Sequence, residues 1–213
     1  MKKKTFHLIP NAHLDPVWLW NWQEGLNEGI RTSRTVLNLM DEFPELTFCR
    51  GEISIYRHIE KYDPETFARI KEYIKSGRWE IIGATEVQSD NNLPATETFS
   101  RHYANGLSYL AEKFQFRPRV AWAADSFGHT AGLPEIIAAA GMTGFLFTRP
   151  APRNLPLSKP AFWWEGAGGA RILCYRPEFG WYGTERVEAT DRLNETLEAA
   201  SRLDLENIAV FIG

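Results

Sequence analysis

Arg119-Val120-Ala121-Trp122-Ala123-Ala124-Asp125-Ser126-Phe127-Gly128-His129, with the run onward to Thr148, decides the fold. Arg119–Ala124 is apolar and reads as a buried strand that opens into a polar loop. Pro134–Ala140 has the pattern of a helix closed by Gly141, and Phe145–Thr148 reads as the next strand. Strand, loop, helix and strand in one short stretch make a βαβ unit, whose crossover sets the two strands parallel. In such units chemistry gathers at the carboxyl ends of the strands, and Asp125 stands at one of them.

The same rhythm extends in both directions. Upstream, Phe6–Pro10 reads as a strand opening into the loop Asn11–Pro16. Asn27–Glu42 follows as an amphipathic helix carrying Ile30, Val36, Leu37 and Met40 on one side and stopping near Pro44. Leu46–Cys49 is a strand. Asp63-Pro64-Glu65 starts a helix with proline in its first turn, Gly77 ends it, and Trp79–Ile82 is the next strand. Thr96–Phe114 is helical, with Phe99, Tyr103, Leu107 and Leu110 on its apolar face. Downstream, Ala151–Pro160 is a proline-rich loop. Phe162–Glu165 and Arg171–Tyr175 form a hairpin around Gly166-Ala167-Gly168-Gly169. Asp191–Leu203 reads as a helix and Ile208–Ile212 as a last strand. The expected class is α/β with a mostly parallel sheet in one domain over residues 1–213.

Composition narrows the function. The 213 residues are 44% hydrophobic and 24% charged, ordinary for a folded protein and unlike a disordered chain. A net charge of −3 leaves no basic surface for nucleic acid or anionic lipid without local clustering. Cys49 and Cys174 lie far apart and outside any C-x-x-C pair, which argues for two buried thiols rather than a zinc knuckle or disulfide scaffold. The apolar run after Met1-Lys2-Lys3-Lys4 fails at Asn11, His13 and Asp15, and no stretch is apolar enough to span a bilayer. The expectation is a cytoplasmic protein with neither nucleic acid nor membrane as partner. The aromatic load, 8 Trp, 7 Tyr and 13 Phe, fits either a core or a ring-binding cleft.

Two strand ends carry the chemistry. Pro10-Asn11-Ala12-His13-Leu14-Asp15-Pro16-Val17-Trp18 sets an imidazole and a carboxylate two residues apart, so an extended chain points both the same way. That donor pair suits a zinc-like ion. Alone it is more often a hydrogen-bonded turn than a metal site, and Asp125 alone also fits a helix N-cap. His129 reads as a hydrogen-bonded core histidine, and His7, His58 and His102 as structural or exposed. In a parallel sheet both motifs fall on one rim, where His13, Asp15 and Asp125 can converge.

Ala12-His13-Leu14-Asp15-Pro16-Val17-Trp18 and Asp125-Ser126-Phe127-Gly128-His129-Thr130 together resemble the glycoside hydrolase family 38 α-mannosidases. Gly77-Arg78-Trp79-Glu80-Ile81-Ile82-Gly83 extends the similarity over most of the chain. The resemblance implies a (β/α)7-barrel-like architecture shared with glycoside hydrolases and deacetylases. It also implies a zinc-dependent retaining α-mannosidase working through a covalent glycosyl-aspartate. By that resemblance His13 and Asp15 ligate zinc, and Asp125 is both ligand and nucleophile. Trp18 and Phe127 form the platform under the sugar, and Asp90 in Gln88-Ser89-Asp90-Asn91-Asn92 binds substrate.

The family's second zinc-binding histidine has no counterpart after His129, so a further His ligand is expected beyond Gly213. The expectation is therefore an N-terminal part of a longer enzyme's catalytic domain, truncated before its last elements and inactive by itself. The general acid is left unassigned: Glu178 is one candidate, and it reads first as a solvated loop carboxylate. A homo-oligomer stays open. The alternatives are a metal-dependent polysaccharide deacetylase-like hydrolase and a non-catalytic carbohydrate-binding module.

Overall fold

The computed structural model describes residues 3–177 and 188–213. In chain order the elements are β1 (Thr5–Pro10), α1 (Trp22–Glu42), β2 (Phe48–Arg50), α2 (Ile53–Tyr62), α3 (Pro64–Lys75), β3 (Trp79–Ile81), α4 (Thr96–Phe114), β4 (Val120–Ala123), α5 (Leu133–Ala139), β5 (Gly144–Phe147), β6 (Ala161–Glu165), β7 (Arg171–Tyr175), α6 (Ala189–Ser201) and β8 (Asn207–Ile212). The α/β class and the parallel βαβ unit at residues 120–147 are as the sequence predicts.

Among the described residues the strands form three ladders. β1 pairs with β8, β2 with β3, and the third runs β4-β5-β7-β6. Every pairing is parallel except the β6–β7 hairpin. Single contacts bridge the gaps: Asn11 makes a parallel bridge to Cys49, and the Gly83 amide donates to the Val120 carbonyl at 2.7 Å. Gly83 holds φ +66° there, which glycine adopts without a Cβ penalty. The ladders do not close into a continuous barrel among the described residues.

Apolar faces of α1 to α5 pack against the strands. Leu37, Ile53, Ile59, Ile70, Leu110 and Ile137 belong to one large core with Trp79, Ala121 and Phe145. A second, smaller cluster joins Cys49, Ile82, Trp122 and Phe211 with Ile9, Leu146 and Tyr175. These residues come from, or directly follow, β1, β2, β3, β4, β5, β7 and β8. Both cysteines are free and buried, and burial pushes each thiol up to about 12. No described helix is long and apolar enough to cross a membrane.

Two elements differ from the sequence reading. α1 begins at Trp22 rather than Asn27, because Asn21 and Glu24 form a capping box. The Asn21 side chain accepts from the Glu24 amide at 3.0 Å, and Glu24 accepts from the Asn21 amide at 3.2 Å. α2 is not evident in the sequence, since Ile53-Ser54-Ile55 alternates as a strand would and is β-branched. The buried faces of Ile53, Tyr56 and Ile59 make it a helix through tertiary packing.

The junction of α2 and α3 gives a stability test. Asp63 caps α3 by accepting from the Thr66 amide at 3.2 Å, and pairs with Arg34 at 2.7 Å. Burial acts to raise its pKa, but the bonds from Thr66 and Arg34 hold it below the ordinary carboxylate value. A depressed carboxylate stabilises the fold above its unfolded pKa and loses that contribution as pH falls through the folded one. Asp63→Ala should therefore cost about 1–2 kcal/mol at pH 7. In urea titrations the gap to wild type should narrow at pH 3.

Candidate active site

Each functional side chain sits in the segment that follows the carboxyl end of a strand, two to nine residues past it. β1 leads to His13 and Asp15, β2 to Glu52, and β3 to Gln88 and Asp90. β4 leads to Asp125 and Phe127, and β5 to Arg149. Parallel strands bring these ends to one rim. His13, Asp15, Trp18, Asp90, Asp125 and Phe127 all line a single cavity of about 310 Å³, with Gln88, Ser89 and Ser126 completing its wall. The six residues singled out in the sequence therefore share one space, drawn from three separate strand ends.

The loop after β1 is held from below. Trp20 Nε1 donates to the Asp15 carbonyl at 2.9 Å. The Pro16 carbonyl approaches Gly25 of α1 so closely that a Cβ would collide with it, and that Cβ would also stand 2.8 Å from Trp20 Nε1. His13 Nε2 then faces Asp15 Oδ1 at 3.5 Å. Two donors bound about 2.0–2.1 Å from a tetrahedral ion lie about 3.4 Å apart, so this spacing fits a shared cation. Burial acts to lower the His13 pKa, but Glu52, Asp15 and Asp125 together carry it above the ordinary value.

Asp125 is half-buried and paired with Arg149, whose guanidinium also lies 5.3 Å from the Phe127 ring centroid. The two loops after β3 and β4 are stitched together. Gln88 Oε1 accepts from the Ala124 amide at 2.6 Å, Ser126 Oγ donates to the Ser89 carbonyl at 3.0 Å, and the Thr130 amide donates to the Asn91 carbonyl at 3.1 Å. His129 is a core histidine. Its Nδ1 lies 3.0 Å from Asn91 Nδ2 and its Nε2 lies 2.8 Å from the Arg149 carbonyl, while Phe145 and Phe147 pack around the ring. Burial lowers its pKa.

Trp18 and Phe127 are 65% and 70% exposed, so neither ring is core filling. Asp90 lines the cavity, but its Oδ1 is committed to a turn, accepting from Asn92 at 2.7 Å and Leu93 at 3.0 Å. Among the described residues no three His, Cys, Asp or Glu side chains are gathered closely enough to hold an ion. The His13–Asp15 pair is in place, and Asp125 is turned toward Arg149. Glu178 lies outside the described residues. His7 is exposed against Asn207, and His58 bonds Asn27 at 3.0 Å, as structural histidines do.

Sequence reasoning missed Glu52, Gln88 and Arg149. The strand-end rule would have found all three if it had been applied to β2, β3 and β5 as it was to β1 and β4.

Comparisons with known proteins identify the family. The profile of the glycosyl hydrolases family 38 N-terminal domain matches residues 3–209. The chain is 32% identical to Alpha-mannosidase 2C1 of Homo sapiens over 183 residues, covering 85% of this chain and 18% of that protein. It is 26% identical to an alpha-mannosidase of Saccharomyces cerevisiae over 196 residues, covering 89% and 18%. An alpha-mannosidase from Enterococcus faecalis V583 superposes with a TM-score of 0.85 at 21% identity, covering 99% of this chain and 25% of that one. The chain thus spans about a fifth of the length of the curated relatives it matches. With that profile match and these strand-end residues on one rim, the chain belongs to the glycosyl hydrolases family 38 N-terminal domain.

Proposed function

We propose that the chain carries the catalytic centre of a zinc-dependent retaining α-mannosidase that hydrolyses terminal α-mannosides. The observation that carries this reading is the convergence of His13, Asp15, Trp18, Asp90, Asp125 and Phe127 on one cavity. One imidazole and two carboxylates are a donor set suited to zinc, and the 3.5 Å His13–Asp15 spacing fits it. His13, Asp15 and Asp125 would hold the ion, with a further histidine from elsewhere in the longer protein. When bound, zinc supplies Lewis acidity toward vicinal sugar hydroxyls.

Asp125 acts as nucleophile. Its carboxylate forms a bond to the anomeric carbon as the bond to the aglycone oxygen breaks, and a general acid protonates that oxygen. Water then cleaves the glycosyl-aspartate and restores the carboxylate. Arg149 fixes the orientation of Asp125. Trp18 and Phe127 offer flat apolar faces to the pyranose, and Asp90 binds a hydroxyl through its Oδ2.

The same reading takes the ladders as arcs of a (β/α)7-barrel-like array. The smaller cluster drawn from seven strands supports this, as does the Tyr175 hydroxyl donating from β7 to the Ala209 carbonyl of β8 at 3.0 Å. Residues 1–213 are then the N-terminal part of a catalytic domain, in a protein kept in the cytoplasm.

Metal removal tests the reading. Dialysis of the full-length protein against a strong chelator should abolish hydrolysis of an aryl α-mannoside, and about one equivalent of zinc should restore it. Full activity in the metal-free protein would refute it.

A further inference from the structure

Glu52 is 2% exposed and lies two residues past β2. Its backbone holds φ +28°, in the region that favours glycine, yet a carboxylate occupies it. One oxygen is fully engaged: Oε1 accepts from Gln88 Nε2 at 2.7 Å and lies 3.9 Å from His13 Nδ1. The other, Oε2, accepts no hydrogen bond among the described residues and lies 4.0 Å from Nε of the fully buried Arg50. A carboxylate so deeply buried is costly unless it faces charge or donors. Arg50 alone does not explain its course, because Oε1 meets Gln88 and His13, both of which line the cavity.

Gln88 continues the connection. Its amide nitrogen donates to Glu52 while its carbonyl oxygen accepts from the Ala124 amide at 2.6 Å and the Asp125 amide at 3.4 Å. Both ends of one short side chain are thus committed, which also defines the amide's orientation. The path runs from His13 through Glu52 and Gln88 to the backbone of Asp125. It ties the loops after β1, β2, β3 and β4 together.

We propose that Glu52 is a positioning residue. It orients the His13 ring from behind and, through Gln88, sets the Asp125 backbone in the same frame. This rests on the zinc reading above and adds a pair of residues outside the ligand set. A carboxylate behind a metal-binding histidine fixes the ring and raises its basicity, and losing such a partner costs about 10–100-fold in metal affinity. Gln88 extends that control to a second donor loop.

The experiment uses the full-length protein. Zinc affinity is measured by competition with a chromophoric chelator for wild type, Glu52→Gln and Gln88→Ala. The expected result is about 10–100-fold weaker zinc binding in both variants. Activity on an aryl α-mannoside should fall and return when zinc is raised by the same factor, a rescue that a purely structural defect would not show. Wild-type zinc affinity in both variants overturns the positioning role while leaving the zinc reading intact. A wild type that takes up no zinc overturns both. If Glu52→Gln does not fold, the half-buried Gln88→Ala decides alone, since its side chain carries none of the Arg50 contact.

Discussion

Asp125→Asn should reduce hydrolysis of an aryl α-mannoside on the order of 10⁴-fold or more in the full-length protein, because the amide is a far poorer nucleophile at the anomeric carbon. The substitution preserves size and leaves the stitching around Asp125 in place. The amide contact to Gln88, and the Ser126 and Thr130 bonds, all involve groups other than the Asp125 carboxylate. The melting temperature should therefore fall little, and zinc content measured beside it separates a chemical defect from a folding or metal-binding one. Loss of the charge also weakens the hold of Arg149, so the Phe127 loop should become more mobile. A fluorinated mannosyl donor should label wild type on the peptide containing Asp125 and leave the variant unlabelled. A deacetylase-like hydrolase would use the same carboxylate as a base and give no adduct, and a carbohydrate-binding module would keep its affinity without turnover. Unchanged turnover in Asp125→Asn refutes the nucleophile assignment.

Gly106→Val should destabilise the fold by about 3 kcal/mol, at the upper end for overpacking. Gly106 lies in the middle of α4 where the helix crosses Ala84. A Cβ added there would enter the Ala84 carbonyl oxygen and stand 3.1 Å from Ile53 Cγ1. The obstacle is backbone rather than a flexible side-chain end, so relief requires α4 or the segment after β3 to move. That segment carries Gln88 and Asp90, so the variant should lose activity as well as stability. Urea unfolding monitored by circular dichroism gives the stability change. A midpoint equal to wild type would show that α4 does not sit this close to Ala84.

The helical faces that pack against the strands were legible because period and punctuation agree. Pro64 follows Asp63 at the start of α3, and Gly77 ends it at φ +75°. Thr96–Phe114 was read to the residue because its apolar positions keep one face throughout. α2 was hidden because Ile53-Ser54-Ile55 has strand-like spacing and branching, and only burial against the core makes it helical. The early start of α1 was present in Asn21-x-x-Glu24 but masked by the tryptophans around it.

The candidate site divides in the same way. His13-x-Asp15 carries its chemistry in local spacing, since residues two apart in an extended loop point alike, and Asp125 carries its own in standing just past an apolar strand. The sequence by itself therefore determined the α/β class, the parallel order of its units and the placing of His13, Asp15 and Asp125 at strand ends, while Trp18, Phe127 and Asp90 came from the family resemblance. Only the tertiary structure decided that Glu52, Gln88 and Arg149 join them and that Asp125 meets Arg149 rather than His13. The reason is that these contacts link residues from different strand ends. Local propensity specifies a strand and its exit, while the meeting of exits depends on how the helices pack the strands side by side.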